Sequence, residues 1–310
     1  MFANFMDTVR ARSDQAIASG DLQPIVAEQT ILHDRDLPFV VRWVAALAAK
    51  DAAQPSAQQS PDAPGPAATV LPGGPRDPDF NPFLHPDPAL TVGPVGADHV
   101  AILNKFPVCL HHLVLARRHF AEQLSPLELT DFHALALLLS GQGGLGFYNG
   151  GAAAGASQRH KHVQWIPAAP ENASLQALTR GLPAVSGQGA ILRHPLLASL
   201  AHCLIRVDAG PGAHPEDSAA SLLTAFGQGC ADLGLRPDAQ GLLPPFNLLA
   251  GDGWMLMVPR SQEHFLGISL NALSFGGTIY VRDPAQMDAI RRAGPLNALF
   301  SVGLSPENAG

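Results

Sequence analysis

The sequence predicts an α+β fold with a largely antiparallel sheet and flanking helices. Helical and strand patterns alternate along the chain, and several strand patterns are neighbours separated by short, hairpin-like turns. No internal repeat of fixed period is present, which argues against a solenoid. At 310 residues the chain can bury a sizeable core, and its length alone allows one or two domains.

The first part of the chain predicts a helix, a strand and an irregular segment. Residues 1–20 have the apolar spacing of a helix that ends at Gly20, and residues 39–44 form a strand pattern. Residues 51–76 are rich in Ala, Gln, Pro, Ser and Gly without periodicity. That composition predicts a disordered insertion or surface loop.

A second ordered region predicts further strands and one long helix. Strand patterns lie at 99–106, 110–115 and 146–149. Between them, Ser125 as N-cap, Pro126 at the first helical position and Glu128 in a capping box predict a helix that runs to the glycines at 141–144.

The C-terminal part predicts a mixed region that ends in a helix. Residues 215–233 favour a helix that starts near Ser218, and Asp283 opens a closing helix. Strand patterns lie at 203–207, 246–250, 254–259 and 277–282.

Composition excludes several functional classes. A net charge of −7 with 15% charged residues argues against non-specific binding of nucleic acid. Three widely spaced cysteines without a CxxC pair indicate neither a disulfide framework nor a structural zinc site. The N-terminus lacks a signal peptide, and no apolar run reaches the roughly 18 residues that span a bilayer. We therefore expect a cytoplasmic enzyme with no membrane partner.

The most informative segment is 149–165, NGGAAAGASQRHKHVQW. A Gly/Ala loop runs into His160, His162 and Gln164, which alternate with period two. On a strand these three side chains share one face of the sheet. A neutral imidazole is a nucleophile toward phosphorus, and the resulting phosphoramidate is labile enough to pass its group to a second acceptor. The segment therefore predicts a phosphoryl-transfer site.

The small residues beside the histidines predict a phosphate-binding loop. Glycine and alanine let backbone N–H groups approach a ligand, while Ser157 and Gln158 add side-chain donors. Candidate backbone donors are Gly150, Gly151, Gly155, Ala156 and Ser157.

A metal pair is the main rival interpretation of His160 and His162. The motif contains no carboxylate or cysteine that would complete a metal site, so we predict none. His111 and His112 are adjacent, and adjacent strand residues face opposite sides of a sheet. We therefore do not expect them to form a ligand pair.

The motif G-A-S-Q-x-H-K-H-x-Q resembles that of the ATP adenylyltransferases, or diadenosine tetraphosphate (Ap4A) phosphorylases, of the histidine-triad superfamily. The resemblance continues through NPFLHPDPALTVG, LNKFPVCLHHLVLARRHF, LSPLELTDFHALALLL and the segment from FNLLAGDGW to GGTIYVR. It covers most of the chain, and it implies a histidine-triad-like fold. An N-terminal catalytic region at 1–180 is then followed by an ATP adenylyltransferase region at 190–305 that completes the site.

The resemblance implies that phosphate cleaves Ap4A to ADP and ATP, reversibly, through an AMP–histidine intermediate. His162 is then the nucleophile, His160 orients the site, and Gln164 takes the place of a third histidine found in related hydrolases. A divalent cation, magnesium, is expected to arrive with the substrate. The substrates that the resemblance implies are Ap4A, ATP, ADP and phosphate.

The resemblance also assigns substrate-binding residues. Thr278 and Arg282 depart from the Met and Lys of the eukaryotic members, and Thr278 puts base packing or nucleotide preference in question. The full set is Lys50, Asn104, Lys105, Asn149, Gly155, Ala156, Ser157, Gln158, Gln164, Asn271, Ala272, Leu273, Thr278 and Arg282.

Two other functions remain open at this stage. A hexose-1-phosphate uridylyltransferase also uses H-x-H-x-Q, although the GASQ, NPFL, LNKFP and NALSFGG segments favour the adenylyltransferase. A catalytically silent sensor of nucleotides is the second alternative. An intact His162 argues against it, because binding alone needs no nucleophile.

Overall fold

The computed structural model describes residues 4–22, 27–44, 81–180, 182 and 189–308. Lys50 and the segment 51–76 lie outside the described residues. Helix α1 (Phe5–Ser19) ends as predicted at Gly20, whose φ of 82° is a left-handed conformation that suits glycine.

A nine-stranded sheet forms the body of the molecule, and its pairings are antiparallel. Its order is β3-β4-β5-β7-β6-β10-β11-β9-β8. The strands are β3 (Thr91–Val95), β4 (His99–Leu103), β5 (Leu113–Arg117), β6 (Leu145–Gly150), β7 (His162–Ile166), β8 (Ile191–Leu192), β9 (Cys203–Arg206), β10 (Phe246–Gly251) and β11 (Trp254–Pro259). The sheet therefore runs without a break from the N-terminal to the C-terminal part of the chain.

A second sheet has three strands. A hairpin of β1 (Ala27–Asp34) and β2 (Leu37–Val44) pairs through β2 with β14 (Thr278–Val281), and that last pairing is parallel. A short hairpin of β12 (His264–Phe265) and β13 (Ile268–Ser269) stands apart from both sheets. The predicted α+β fold with a mostly antiparallel sheet is confirmed.

Within the described residues, six further helices pack against the strands of the two sheets and of the short hairpin. They are α2 (Leu129–Gln142), α3 (Gln176–Thr179), α4 (Pro215–Asp232), α5 (Ala272–Phe275), α6 (Pro284–Ala293) and α7 (Pro295–Val302). The single closing helix expected after Asp283 is thus two helices, because Gly294 and Pro295 interrupt it with a glycine at φ 84°.

Strand alternation divides the buried side chains into two clusters, one on each face of the nine-stranded sheet. Tyr148 and Trp165 pack with α2 and α4, whereas their neighbours Phe147 and Ile166 pack with the three-stranded sheet, α5 and α7. Each cluster draws residues from both parts of the chain. Apolar burial of this kind contributes about 25 cal/mol per Å² and stabilises the halves together.

Two predicted helix starts are wrong. Helix α2 begins at Leu129, and its capping box pairs Glu128 as N-cap with Asp131, whereas the Ser125 hydroxyl donates to the carbonyl of Glu122. Helix α4 begins at Pro215, ahead of Ser218, because the fixed φ of proline suits a first helical position. Within the described part of the chain, no helix combines the length and the hydrophobicity that a membrane crossing requires.

Candidate active site

Strand β7 carries the histidine motif through the middle of the large sheet, between β5 and β6. His162 and Gln164 point to the same face and are 4% and 8% exposed. Gln123 holds the start of the strand: its Oε1 accepts from the His162 N–H at 2.9 Å, and its Nε2 donates to the carbonyls of Asn149 and His162. No sequence pattern indicates this role for Gln123.

The imidazole of His162 has one ring nitrogen committed and the other left basic. Nδ1 lies 2.8 Å from the carbonyl oxygen of His160. A carbonyl only accepts, so Nδ1 carries the proton and the lone pair lies on Nε2. Burial lowers the pKa of His162 to about 4, which keeps the ring neutral at pH 7.

His160 lies two residues before strand β7 begins. It forms an isolated bridge with Glu122. Its Nε2–H donates to the Arg117 carbonyl at 2.7 Å, and its Nδ1 accepts from Asn81 at 2.9 Å. With both nitrogens engaged, His160 reaches the nucleophile through its backbone carbonyl.

Gln164 is held by a histidine that the sequence analysis set aside. The Oε1 of Gln164 accepts from His112 Nε2 at 2.9 Å. The other nitrogen of His112 accepts from Asn104 Nδ2 at 3.3 Å and from the Val108 N–H at 3.4 Å. Burial lowers the pKa of His112 to about 4. His112 thus contacts the motif, a role that the sequence does not predict for the pair His111-His112.

Asn104 and Lys105 form a turn beside His112. The Asn104 N–H donates to the His112 carbonyl at 3.0 Å, and its Oδ1 accepts from the Phe106 N–H at 3.1 Å. This turn places Lys105 next in the chain, with an exposed side chain. A mobile ammonium at that position suits contact with a polyphosphate.

The Gly/Ala loop uses some of its backbone donors internally. The N–H groups of Gly155 and Ala156 donate to the carbonyls of Ala152 and Gly151 in a short 3₁₀ turn. These two N–H groups, which the sequence predicts as phosphate donors, are therefore already hydrogen-bonded within the turn. The loop presents an exposed Ser157 and a half-buried Gln158.

Gly155 brings the loop against the C-terminal part of the chain. Its φ is 89°, and a Cβ placed on it would lie 2.8 Å from the Cβ of Asn271. Asn271 caps α5 through a bond from the Leu273 N–H at 3.0 Å. Two regions more than a hundred residues apart therefore meet at a glycine.

Asn149 binds the same segment from the strand side. Its Oδ1 accepts from the Ala272 N–H and from Asn247 Nδ2, each at 2.9 Å. Ala272 and Leu273 are buried, and their N–H groups are taken by Asn149 and Asn271. Asn247 in turn accepts from the buried guanidinium of Arg260, a residue the sequence analysis did not single out.

Thr278 and Arg282 lie on the other sheet. Thr278 opens β14 and is buried, and its hydroxyl is one of three buried side-chain atoms that lack a hydrogen-bond partner in the described parts of the chain. Arg282 follows β14, and its carbonyl accepts from Trp43 Nε1 at 2.9 Å. Lys50 lies outside the described residues.

A buried charge cluster lies behind the histidines. Lys161 is 1% exposed; its Nζ donates to the Pro126 carbonyl at 2.7 Å and lies 3.8 Å from Asp131. Burial alone would raise the pKa of Asp131, but hydrogen bonds from His99 and Arg117 hold it below its ordinary value. Motif spacing does not reveal this cluster, because its members come from four separate segments.

Comparison with known proteins agrees with this geometry. A family model described as the Ap4A phosphorylase N-terminal domain matches residues 2–179, and one described as the ATP adenylyltransferase C-terminal domain matches 197–305. In the described residues, no group of three or more His, Cys, Asp or Glu side chains is placed to hold a metal ion.

Curated relatives and solved structures agree as well. The chain is 27% identical over 235 residues to diadenosine 5',5'''-P1,P4-tetraphosphate phosphorylase 2 of Saccharomyces cerevisiae, covering 67% of this chain and 70% of that protein. It is 25% identical to Protein APA1 of the same yeast over 91% and 88% of the two chains. The structure of yeast Ap4A phosphorylase Apa2 in complex with Ap4A has a TM-score of 0.74 at 22% identity, over 97% of this chain and 98% of that one. Since the first family model alone matches more than half of the sequence, the chain belongs to the Ap4A phosphorylase family of nucleotidyltransferases.

Proposed function

We propose that the protein cleaves Ap4A with inorganic phosphate, giving ATP and ADP, by way of an AMP group carried on His162. The observation that carries the proposal is the bond from His162 Nδ1 to the His160 carbonyl, which leaves a neutral Nε2 as nucleophile. Family membership supports the substrate, since the related yeast protein is a diadenosine tetraphosphate phosphorylase.

In the first step, Nε2 of His162 attacks the α-phosphorus of Ap4A. An N–P bond forms, and the bond between that phosphorus and the bridging oxygen to the β-phosphate breaks, which releases ATP. The imidazole becomes positively charged as it acquires the adenylyl group. Its Nδ1–H donates to a backbone carbonyl, so the charge develops next to an oriented acceptor dipole.

In the second step, an oxygen of inorganic phosphate attacks the same phosphorus. The N–P bond breaks, its electron pair returns to Nε2, and ADP leaves. Both steps are reversible, and the reverse direction joins ATP and ADP. No general acid is required on this path, because phosphate and the polyphosphate leaving groups are already anionic at pH 7.

Gln164 supports phosphate rather than water as the second acceptor. With Oε1 held by His112, its amide turns two N–H donors toward whatever binds beside His162. An amide donates without releasing a proton, and it cannot deprotonate water as a histidine can. We propose that Gln164 contacts the phosphoryl oxygens and gives no base catalysis for hydrolysis.

The polyphosphate is proposed to meet Lys105, Ser157 and Gln158 on one side of His162, with Asn149 and Asn271 on the ribose side. Thr278 and Arg282 are proposed to serve the more distant nucleoside, and Lys50 another phosphate. Magnesium would arrive bound to the tetraphosphate and neutralise adjacent phosphate charges. We also propose a cytoplasmic location, which fits the free thiols of Cys109, Cys203 and Cys230.

Incubation with α-labelled Ap4A tests the proposal. Wild-type protein is expected to hold an acid-labile, base-stable AMP group and to release ATP before phosphate is added. His162→Ala should bind Ap4A without taking label, and His111→Ala, a change at a partly exposed histidine, should behave as wild type. Label from UDP-glucose instead would indicate the uridylyltransferase alternative, and binding without turnover would indicate a sensor.

A further inference from the structure

Asn81 and Phe83 lie against the two histidines of the motif. Asn81 contacts the ring of His160. Phe83 lies with its ring centroid 4.8 Å from that of His162, at an interplanar angle of 54°. Asn81 is 79 positions away from His160 in the chain, so these contacts belong to the tertiary fold and not to the local conformation of the motif.

The amide of Asn81 has a fixed orientation. Its Oδ1 accepts from the N–H groups of Phe83 and Leu84, each at 3.1 Å, in a turn of the kind that Asn favours. Both Nδ2 and Oδ1 of Asn81 lie close to His160 Nδ1, at 2.9 and 3.0 Å. Because Oδ1 already accepts two backbone N–H groups, we assign Nδ2 as the donor to that nitrogen.

This orientation fixes the tautomer of His160. Its Nε2 must carry a proton, because it lies 2.7 Å from the Arg117 carbonyl. Its Nδ1 is therefore an acceptor, which matches the donor that Asn81 presents. A proton on Nδ1 would remove the acceptor for Asn81 Nδ2 and would leave only Oδ1, which two backbone N–H groups already use.

The fixed position of His160 also restrains the nucleophile, His162. The ring and backbone of His160 are one rigid unit once its ring is bonded at both ends, and its carbonyl accepts from His162 Nδ1 at 2.8 Å. Phe83 adds steric restraint, since its ring covers one side of the His162 imidazole. On the far side of His160, Phe120 makes an edge contact at 5.6 Å.

We infer that Asn81 is a positioning residue which, together with Phe83, holds His162 in the tautomer and ring orientation that leave Nε2 basic and directed at the substrate. Only the catalytic consequence rests on the proposed function; the tautomer of His162 does not.

Two substitutions of Asn81 separate its two roles. Asn81→Asp keeps an oxygen for the Phe83 and Leu84 N–H groups but replaces the donor with an acceptor, so the turn remains and the bond to neutral His160 is lost. Asn81→Ala loses both. Leu84→Ala is the matched control, because that side chain is 42% exposed and its N–H is unchanged.

Nitrogen-15 NMR of histidine-labelled protein reads the tautomers without any substrate. In wild type at pH 7, His162 should show a protonated Nδ1 and His160 a protonated Nε2. Asn81→Asp should give a doubly protonated His160 and mixed tautomers at His162, and Leu84→Ala should match wild type. An unchanged His162 signal in Asn81→Asp would overturn the inference.

Turnover supplies the second readout. We expect Asn81→Asp to lower kcat for Ap4A phosphorolysis about 10- to 100-fold with KM within about twofold, as for other residues that orient a reacting group. Wild-type kcat in a variant with an altered His162 tautomer would overturn the catalytic part. If wild type shows the expected tautomers but no phosphorolysis, the proposed function fails and the positioning of His162 survives.

Discussion

His112 donates its Nε2–H to Gln164 Oε1 at 2.9 Å, and this bond decides which end of the amide faces a ligand. Without this hydrogen bond, the Gln164 amide can rotate and turn its oxygen toward a phosphate. The amide oxygen and the phosphate oxygens would then repel each other. His112 therefore acts on the site from the neighbouring strand edge, although its own ring nitrogens are both occupied.

Replacement of His112 should lower turnover. In His112→Ala the Gln164 amide loses its fixed orientation, and we expect kcat to fall roughly 10-fold or more. Single-turnover formation of the AMP–protein adduct measures the effect on the first step. His111→Ala provides the control, and equal rates for the two variants would contradict this role.

Gln164→His tests the choice of acceptor. An imidazole beside His162 can take a proton from water, so this variant should release more AMP relative to ADP and ATP than wild type does. Product analysis at several phosphate concentrations measures the ratio. If the ratio does not change, the amide has no part in excluding water.

Lys105→Ala should weaken substrate binding more than it lowers kcat. Its side chain is exposed, so we expect a loss of about 1–3 kcal/mol in kcat/KM, as for one hydrogen bond to a charged group, and no change in thermal stability. Steady-state kinetics against Ap4A concentration measure it. Full activity would place Lys105 outside the site.

Gly155→Ala should disturb the contact between the Gly/Ala loop and Asn271 without creating a cavity in the core. The new Cβ would meet Asn271 at 2.8 Å in a backbone conformation of φ 89°. We expect a cost of about 1–3 kcal/mol in unfolding free energy and a further loss of activity. Gly210→Ala is the control, because nothing lies within 4 Å of its Cβ position. Similar stability for both would argue against a tight contact.

Acid should destabilise the protein between about pH 6.5 and pH 4. Burial lowers the pKa of His112, His162 and His202 to about 4 in the fold, whereas the unfolded chain binds protons near 6.5. The unfolded state therefore gains more protons as the pH falls, at a cost of about 3 kcal/mol per histidine by pH 4. Urea unfolding at several pH values measures it, and a flat profile from pH 7 to 4 would refute it. The rate of adenylation should remain level down to pH 5.

The sequence predicted the part of the site that is local. His162 and Gln164 could be placed on one face because strand alternation follows from the backbone alone. His160 lies before the strand, in a bridge with Glu122. Period-two spacing does not tell where a strand begins.

The supporting residues could not be predicted because their contacts are long-range. Asn81, His112 and Gln123 reach the motif from 79, 52 and 39 positions away. The pairing of β5 with β7 brings His112 to the motif, and the bridge between Glu122 and His160 brings Gln123. The pair His111-His112 is visible in the sequence, but its spacing does not predict that His112 contacts the motif.

Strands β6 and β10 join the two halves of the chain by antiparallel pairing, from the pair Phe246 and Gly150 to the pair Ala250 and Gly146. If the gene were split between these strands, each of the two polypeptides would have an unpaired edge strand that can pair nonspecifically with other chains. Such fragments should precipitate when made separately and regain function only when coexpressed. Recombination between relatives must then either exchange both halves together or preserve the contacts between β6 and β10.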